Sequence, residues 1–92
     1  MKIIWSDKAK VSYEEIIDDL LEQWLIKIVY DFENLVNSML NKLLNHNNLC
    51  PKTKMYNLRK CVIHKNISMV YRLGEETLEL VLFIYNRSKH KY

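Results

Sequence analysis

The period of the apolar positions changes about halfway along the chain. Ala9, Tyr13, Ile16, Ile17, Leu20, Leu21 and Trp24 recur at spacings of three and four, with Glu14, Glu15, Asp18, Asp19 and Glu22 between them. This is the pattern of an amphipathic helix whose acidic run is its solvated face. Ser6 stands ahead of it as an N-cap, so the short β-branched stretch from Lys2 to Trp5 predicts a strand that leads straight into the helix. After Trp24 the stripe restarts with Ile28, Val29, Phe32, Leu35, Val36, Met39, Leu40, Leu43 and Leu44. It is wide enough to face both a neighbouring helix and a sheet, and it predicts a second helix ending near Asn45.

His46-Asn47-Asn48-Leu49-Cys50-Pro51 breaks the helical period, because asparagine tolerates the left-handed backbone and proline cannot continue a helix. Beyond it the period is two. Leu58 to His64, Ile67 to Leu73 and Thr77 to Tyr85 are rich in β-branched and aromatic residues, separated by Lys65-Asn66 and by Gly74-Glu75-Glu76. They predict a three-stranded antiparallel meander. Strict alternation places Ile67, Met69, Tyr71 and Leu73, with Leu78, Leu80, Leu82 and Ile84, on the face toward the helices. The expected fold is α+β, in the order β-α-α-β-β-β, with two antiparallel helices packed on one face of a small, mainly antiparallel sheet. Its expected core contains Ile4, Ile16, Leu20, Phe32, Val36, Met39, Tyr71 and Leu80, with Trp5 and Trp24 also in packing roles. The opposite sheet face would carry Arg72, Val81, Phe83, Tyr85 and the outgoing Arg87, too apolar a mixture for a monomer to leave bare.

Composition narrows the function. Ninety-two residues, 49% hydrophobic and 27% charged, form one domain spanning 1–92 rather than two, and not a disordered tail. A single glycine, Gly74, excludes the phosphate-cradling loops of nucleotide enzymes, and no cofactor is expected. The start of the chain is too soon followed by Ser6-Asp7-Lys8 for a signal peptide, and no apolar run reaches a membrane span, so a cytoplasmic protein with no membrane partner is expected. In that compartment Cys50 and Cys61 are expected as reduced thiols. With His46 and His64 they lack the paired C-x2-C spacing of zinc ribbons, so no metal site is expected.

Charge is unevenly divided. Residues 1–45 carry five Lys/Arg against eight Asp/Glu, whereas residues 46–92 carry nine against three. A basic half on a small domain favours nucleic acid, the ribosome or an acidic protein segment as partner.

At this point the chain resembles the RelE/ParE superfamily of bacterial type II toxins over almost its whole length. The matching features begin with Ile4-Trp5-Ser6 before Lys8-Ala9, a helix closing on Glu22-Gln23-Trp24, and the exit Leu43-Leu44 to Pro51. The most specific part runs from Val62-Ile63-His64-Lys65-Asn66 through Ile67-Ser68-Met69-Val70-Tyr71-Arg72, followed by Leu78-Glu79-Leu80 and Asn86-Arg87. The resemblance implies the same β-α-α-β-β-β fold and a cognate antitoxin that wraps the toxin in a hetero-oligomer. It also implies one of two targets. Toxins similar to ParE poison DNA gyrase without being nucleases; toxins similar to RelE cleave mRNA on the ribosome.

RNA cleavage needs cations for the phosphate's developing charge and groups to move protons. Arg59 and Arg87 are candidates for the first role, with Lys60 and Arg72 further cations; His64 and Tyr92, or His90, are candidates for the second. In the RelE branch an arginine stands three positions before the tyrosine that Tyr71 resembles, and here that position is Ser68. The expectation is therefore a ParE-like toxin, with a RelE-like ribosome-dependent endoribonuclease as the alternative and a non-toxic interaction module as the second. Arg72, Phe83, Tyr85, Arg87, Lys89 and Lys91 are the candidate contacts for antitoxin or target.

Overall fold

The computed structural model describes residues 1–87 and Tyr92. Strand β1 (Lys2–Trp5) leads into helix α1 (Asp7–Gln23), helix α2 (Ile26–Asn45) follows, and strands β2 (Arg59–His64), β3 (Ile67–Leu73) and β4 (Thr77–Tyr85) close the fold. The sheet order is β1-β4-β3-β2, with β1 parallel to β4 and the other pairings antiparallel. The expected α+β architecture is the one observed.

Local chemistry sets the element ends. Ser6 has extended backbone, and its Oγ accepts from the Ala9 N–H at 3.0 Å, so α1 starts where the cap lies. At the far end Trp24 is extended, its N–H donating to Leu20 O at 2.9 Å, and α2 begins two residues later. Asn47 ends α2 by donating from Nδ2 to the Leu43 carbonyl at 2.6 Å.

Between α2 and β2 the chain makes a narrow hairpin. Lys60 N–H donates to Pro51 O at 3.1 Å, Lys52 bridges Arg59, and Thr53 N–H donates to Leu58 O at 2.9 Å. Cys50 and Cys61 stand opposite each other in this same register, with Cα atoms 5.2 Å apart, and are joined by a disulfide. The expectation of reduced thiols is thereby corrected. It rested on compartment alone, and nothing in the spacing of the two cysteines announces that they face each other across a hairpin.

The alternation in β4 is interrupted. Val70 pairs with Leu82 and Tyr71 with Leu80, so Val81 is an extra residue. Leu78 and Leu80 face the helices before it; Phe83 and Tyr85 face them after it, while Leu82 joins Leu58 and Val70 on the other side. Phe83, expected on the outer face, is instead 3% exposed in the main core. Its ring lies 5.7 Å from that of Trp5, 5.2 Å from Tyr13 and 6.4 Å from Phe32. The bulge is held by two serines of the helical layer. Ser6 Oγ donates to Val81 O at 2.8 Å, and Ser12 Oγ accepts from Phe83 N–H at 2.9 Å.

Ile16, Phe32, Val36, Tyr71 and Leu80 are buried as expected, and Leu20 and Met39 pack at the margin of the same core. Two assignments change. Ile4 is 39% exposed, because Ile3 and Trp5 are the β1 residues on the helical side. Trp24 is 60% exposed, because α1 has ended before it. The outer sheet face has a smaller cluster of its own, Leu58, Val70 and Leu82, with Val81, Ile84 and Tyr92 against it.

Phe32→Ala should lower the unfolding free energy by about 3 to 5 kcal/mol in urea titrations, the range for truncating a buried aromatic ring. Ser12→Ala should cost about 1 to 3 kcal/mol, since it leaves the buried Phe83 N–H without its acceptor. A Ser12→Ala chain as stable as the parent would show that the bulge holds without the helix.

Candidate functional site

A groove of about 740 Å³ opens where the end of α1 meets the β2–β3 turn and the end of β4. Its wall on the helical side is Leu20, Trp24 and Ile28; the opposite wall is His64, Lys65 and Arg87. Tyr85 and Asp19 tie the two walls together, the Tyr85 hydroxyl donating to Asp19 Oδ2 at 2.6 Å. Burial pushes the Tyr85 phenol above its ordinary range, and the Asp19 carboxylate that accepts its hydrogen bond, with Glu15 nearby, raises it further. Tyr85 is therefore held as the neutral phenol and donates to Asp19.

Asn86 fixes the direction in which Arg87 leaves the sheet. Its N–H donates to Asn66 O at 2.8 Å, its Nδ2 to Lys65 O at 2.9 Å, and its Oδ1 accepts from Ser68 Oγ at 2.5 Å. Arg87 is then exposed beside the β2–β3 turn. His64 ends β2 beside that turn, and its Nδ1 accepts weakly from Asn66 N–H at 3.4 Å. The apolar wall continues onto the surface through Leu25 and Ile26, which are 77% and 60% exposed. A groove apolar on one side and cationic on the other fits an amphipathic segment bearing acidic groups.

No protein-family model matches the chain, and no curated protein matches it in sequence. Solved structures do. The chain is similar to the chromosomal ParDE toxin–antitoxin system of P. aeruginosa, with TM-score 0.77 at 11% identity, covering 92% of this chain and 95% of that one. It is similar to a YoeB/ParE toxin from Agrobacterium tumefaciens, with TM-score 0.70 at 15% identity over 94% and 99% of the two chains. A copper-bound mutant toxin from Helicobacter pylori gives TM-score 0.69 at 17% identity over 94% of each chain. The chain has the RelE/ParE toxin fold.

On the RelE/ParE fold the expected site residues separate into three places. His64 and Arg87 come together in the groove, with Tyr85 at its floor. Arg59 is at the other end of β2, where its Nη1 donates to Cys50 O at 2.7 Å and to Asn48 O at 3.3 Å. Tyr92 packs against the outer cluster, and its carbonyl oxygen accepts from Lys60 Nζ at 3.2 Å. Arg72 is also on the outer side, ion-paired with Glu79, its partner across the β3–β4 ladder. The proposed face of Arg72, Phe83 and Tyr85 is thus not one surface, because the Val81 bulge turns Phe83 and Tyr85 inward. Lys89 and Lys91, and His90, lie outside the described residues.

Two groove residues were assigned other roles from the sequence. Asp19 reads as one acid among several on a solvated helix face, and only the tertiary fold brings Tyr85 to it. Trp24 reads as core. The uncharged run Trp24-Leu25-Ile26 across the helix–helix break was the available signal, since three bulky residues at a tight corner cannot all turn inward.

Tyr13 and Tyr71 are also shifted upward, each chiefly by burial; Glu33 adds to the effect at Tyr13, while the backbone hydrogen bond at Cys50 and then Arg59 oppose it at Tyr71. All three phenols hold their protons more tightly folded than unfolded, so their contribution is complete below the ordinary tyrosine value of about 10 and is lost above it. Urea unfolding between pH 9 and 11 should show stability falling with pH, less steeply in Tyr85→Phe. An identical slope in parent and variant would exclude Tyr85 as a source of the pH dependence.

Proposed function

We propose that this chain is the toxin of a type II toxin–antitoxin pair and that it acts in the ParE manner, by binding DNA gyrase or a related protein target. The observation that carries this reading is the dispersal, among the described residues, of the candidate groups for nuclease chemistry. Arg59 is engaged by two backbone carbonyls, Tyr92 lies on the outer sheet face, and His64 and Arg87 stand in the groove at the far end of β2. Ser68, where the RelE branch carries an arginine, is fully buried and hydrogen-bonded to Asn86, so the position neither holds a charge nor faces a substrate. A transition state stabilised by several cations needs them within reach of one phosphate.

The antitoxin suits the groove. An amphipathic segment would lay apolar side chains on Trp24 and Ile28 and acidic ones on Lys65 and Arg87, burying the exposed corner in the same contact. Among the described residues no helix is long and apolar enough to cross a membrane.

Expression of the chain alone should arrest growth, and coexpression with the product of the adjoining small reading frame should relieve the arrest and yield a stable complex. Purified protein should then inhibit supercoiling by gyrase and leave message on translating ribosomes intact. Arg87→Ala should weaken target or antitoxin binding by about 1 to 3 kcal/mol while unfolding normally. Normal growth with soluble protein present would overturn the toxin reading, and ribosome-dependent cleavage would replace the ParE manner with the RelE one.

A further inference from the structure

The hairpin between α2 and β2 is the part of the chain that the toxin reading leaves unused. Its base is the Cys50–Cys61 disulfide, its rungs are the contacts of Pro51 with Lys60, Lys52 with Arg59 and Thr53 with Leu58, and its tip is Lys54-Met55-Tyr56-Asn57. Asn57 takes the left-handed backbone, φ 62°, that closes so tight a turn. Arg59, half-exposed at the groove beside this hairpin, holds the carbonyls of Asn48 and Cys50.

The tip is unusual in what it exposes. Tyr56 is 95% exposed, so its ring does nothing for the stability of this fold. Lys52 and Lys54 are exposed on the same hairpin, beside a groove of about 520 Å³ lined also by Asn48, Thr53 and Met55. No acidic residue occurs from residue 34 to residue 74, while that stretch contains seven Lys/Arg. The lysines therefore have no carboxylate within their own segment to neutralise them.

A bare aromatic face and two exposed cations lining one groove match the chemistry of an unpaired base and its neighbouring phosphates. Base–aromatic stacking and backbone neutralisation are the two terms by which proteins hold single strands. A duplex keeps its bases stacked on one another and offers no face to the ring. A peptide of acidic residues alone satisfies the lysines but offers no planar group to stack on the ring. We propose that the hairpin tip binds single-stranded nucleic acid, with Tyr56 stacked on a base and Lys52 and Lys54 on the adjoining phosphates. The disulfide clamps the hairpin base, which lowers the ordering cost of that contact. The site is at the Arg59 end of β2, away from the groove at the His64 end, and does not rest on the toxin reading.

Fluorescence anisotropy with labelled oligothymidylate and oligouridylate of about twelve nucleotides tests this, a length within the range that single-strand sites cover. Both strands should bind and a duplex of equal length should bind at least ten-fold more weakly. Tyr56→Ala should weaken single-strand binding by about 5- to 150-fold, the range for one stacked base. Lys52→Ala with Lys54→Ala should reduce the log–log salt slope by about 1.4, which is about 0.7 for each phosphate that the variant no longer neutralises. Reduction of the disulfide by a dithiol, which gives two thiols and a cyclic disulfide in the reductant, should weaken binding while tryptophan fluorescence reports a folded core. Tyr56→Phe should bind like the parent. Equal binding by Tyr56→Ala and the parent overturns the proposal, as does preference for the duplex or for an acidic peptide of the same length. Growth arrest without strand binding would leave the toxin reading in place and remove this one.

Discussion

The extra residue at Val81 decides how the two layers of this protein fit together. Strand β1 pairs with β4 only as far as Trp5 opposite Leu80, and at that point the chain turns into α1. The polar backbone of β4 beyond the end of β1 would be left facing the helix without partners. Two side-chain hydroxyls take their place. Ser6 serves both as the N-cap of α1 and as donor to Val81 O, and Ser12, further along the same helix, accepts from Phe83 N–H. Helix start, strand bulge and sheet edge are therefore one hydrogen-bonded unit. The rest of β4, as far as Tyr85, inherits its orientation from it. Phe83 turns into the ring cluster of Trp5, Tyr13 and Phe32, and Tyr85 reaches across to Asp19.

That orientation in turn makes the groove. If β4 alternated without interruption, Tyr85 would point to the outer face and Asp19 would be one more solvated acid. With the bulge, the end of β4 is fastened to α1, and Arg87 emerges beside the β2–β3 turn through the contacts of Asn86. The apolar corner formed by Trp24, Leu25 and Ile26 adjoins this cationic rim because α1 stops just short of it. Apolar and cationic surface are thus brought together by five elements, α1, α2, β2, β3 and β4, and not by any one of them.

Strand β2 separates the protein's basic chemistry into two places. Its His64 end belongs to the groove; its Arg59 end supports the disulfide-clamped hairpin. Between them the outer sheet face is closed by Leu58, Val70, Leu82 and Tyr92, with Ser68 buried at the level of Asn86. Positive charge is plentiful but divided between these two places.

The elements and their order were legible in the sequence because they rest on local terms. The period of 3.6 in residues 9–24 and 28–44, the Ser6 cap, Pro51, and the alternation of Ile67–Leu73 each act within a few residues, and the observed elements follow them closely. The resemblance in Val62–Arg72 and Asn86-Arg87 pointed to the fold that the solved toxins share. Facing in β1 and in the second half of β4 was not legible. A one-residue bulge inverts every later side chain yet leaves no mark in composition, and a four-residue strand with two neighbouring isoleucines does not say which of them is inward. Disulfide pairing and the Tyr85–Asp19 contact were likewise decided only in three dimensions. Cys50 and Cys61 meet because a hairpin places them opposite each other, and Tyr85 meets an acid 66 residues away because packing of α1 on β4 brings the two together.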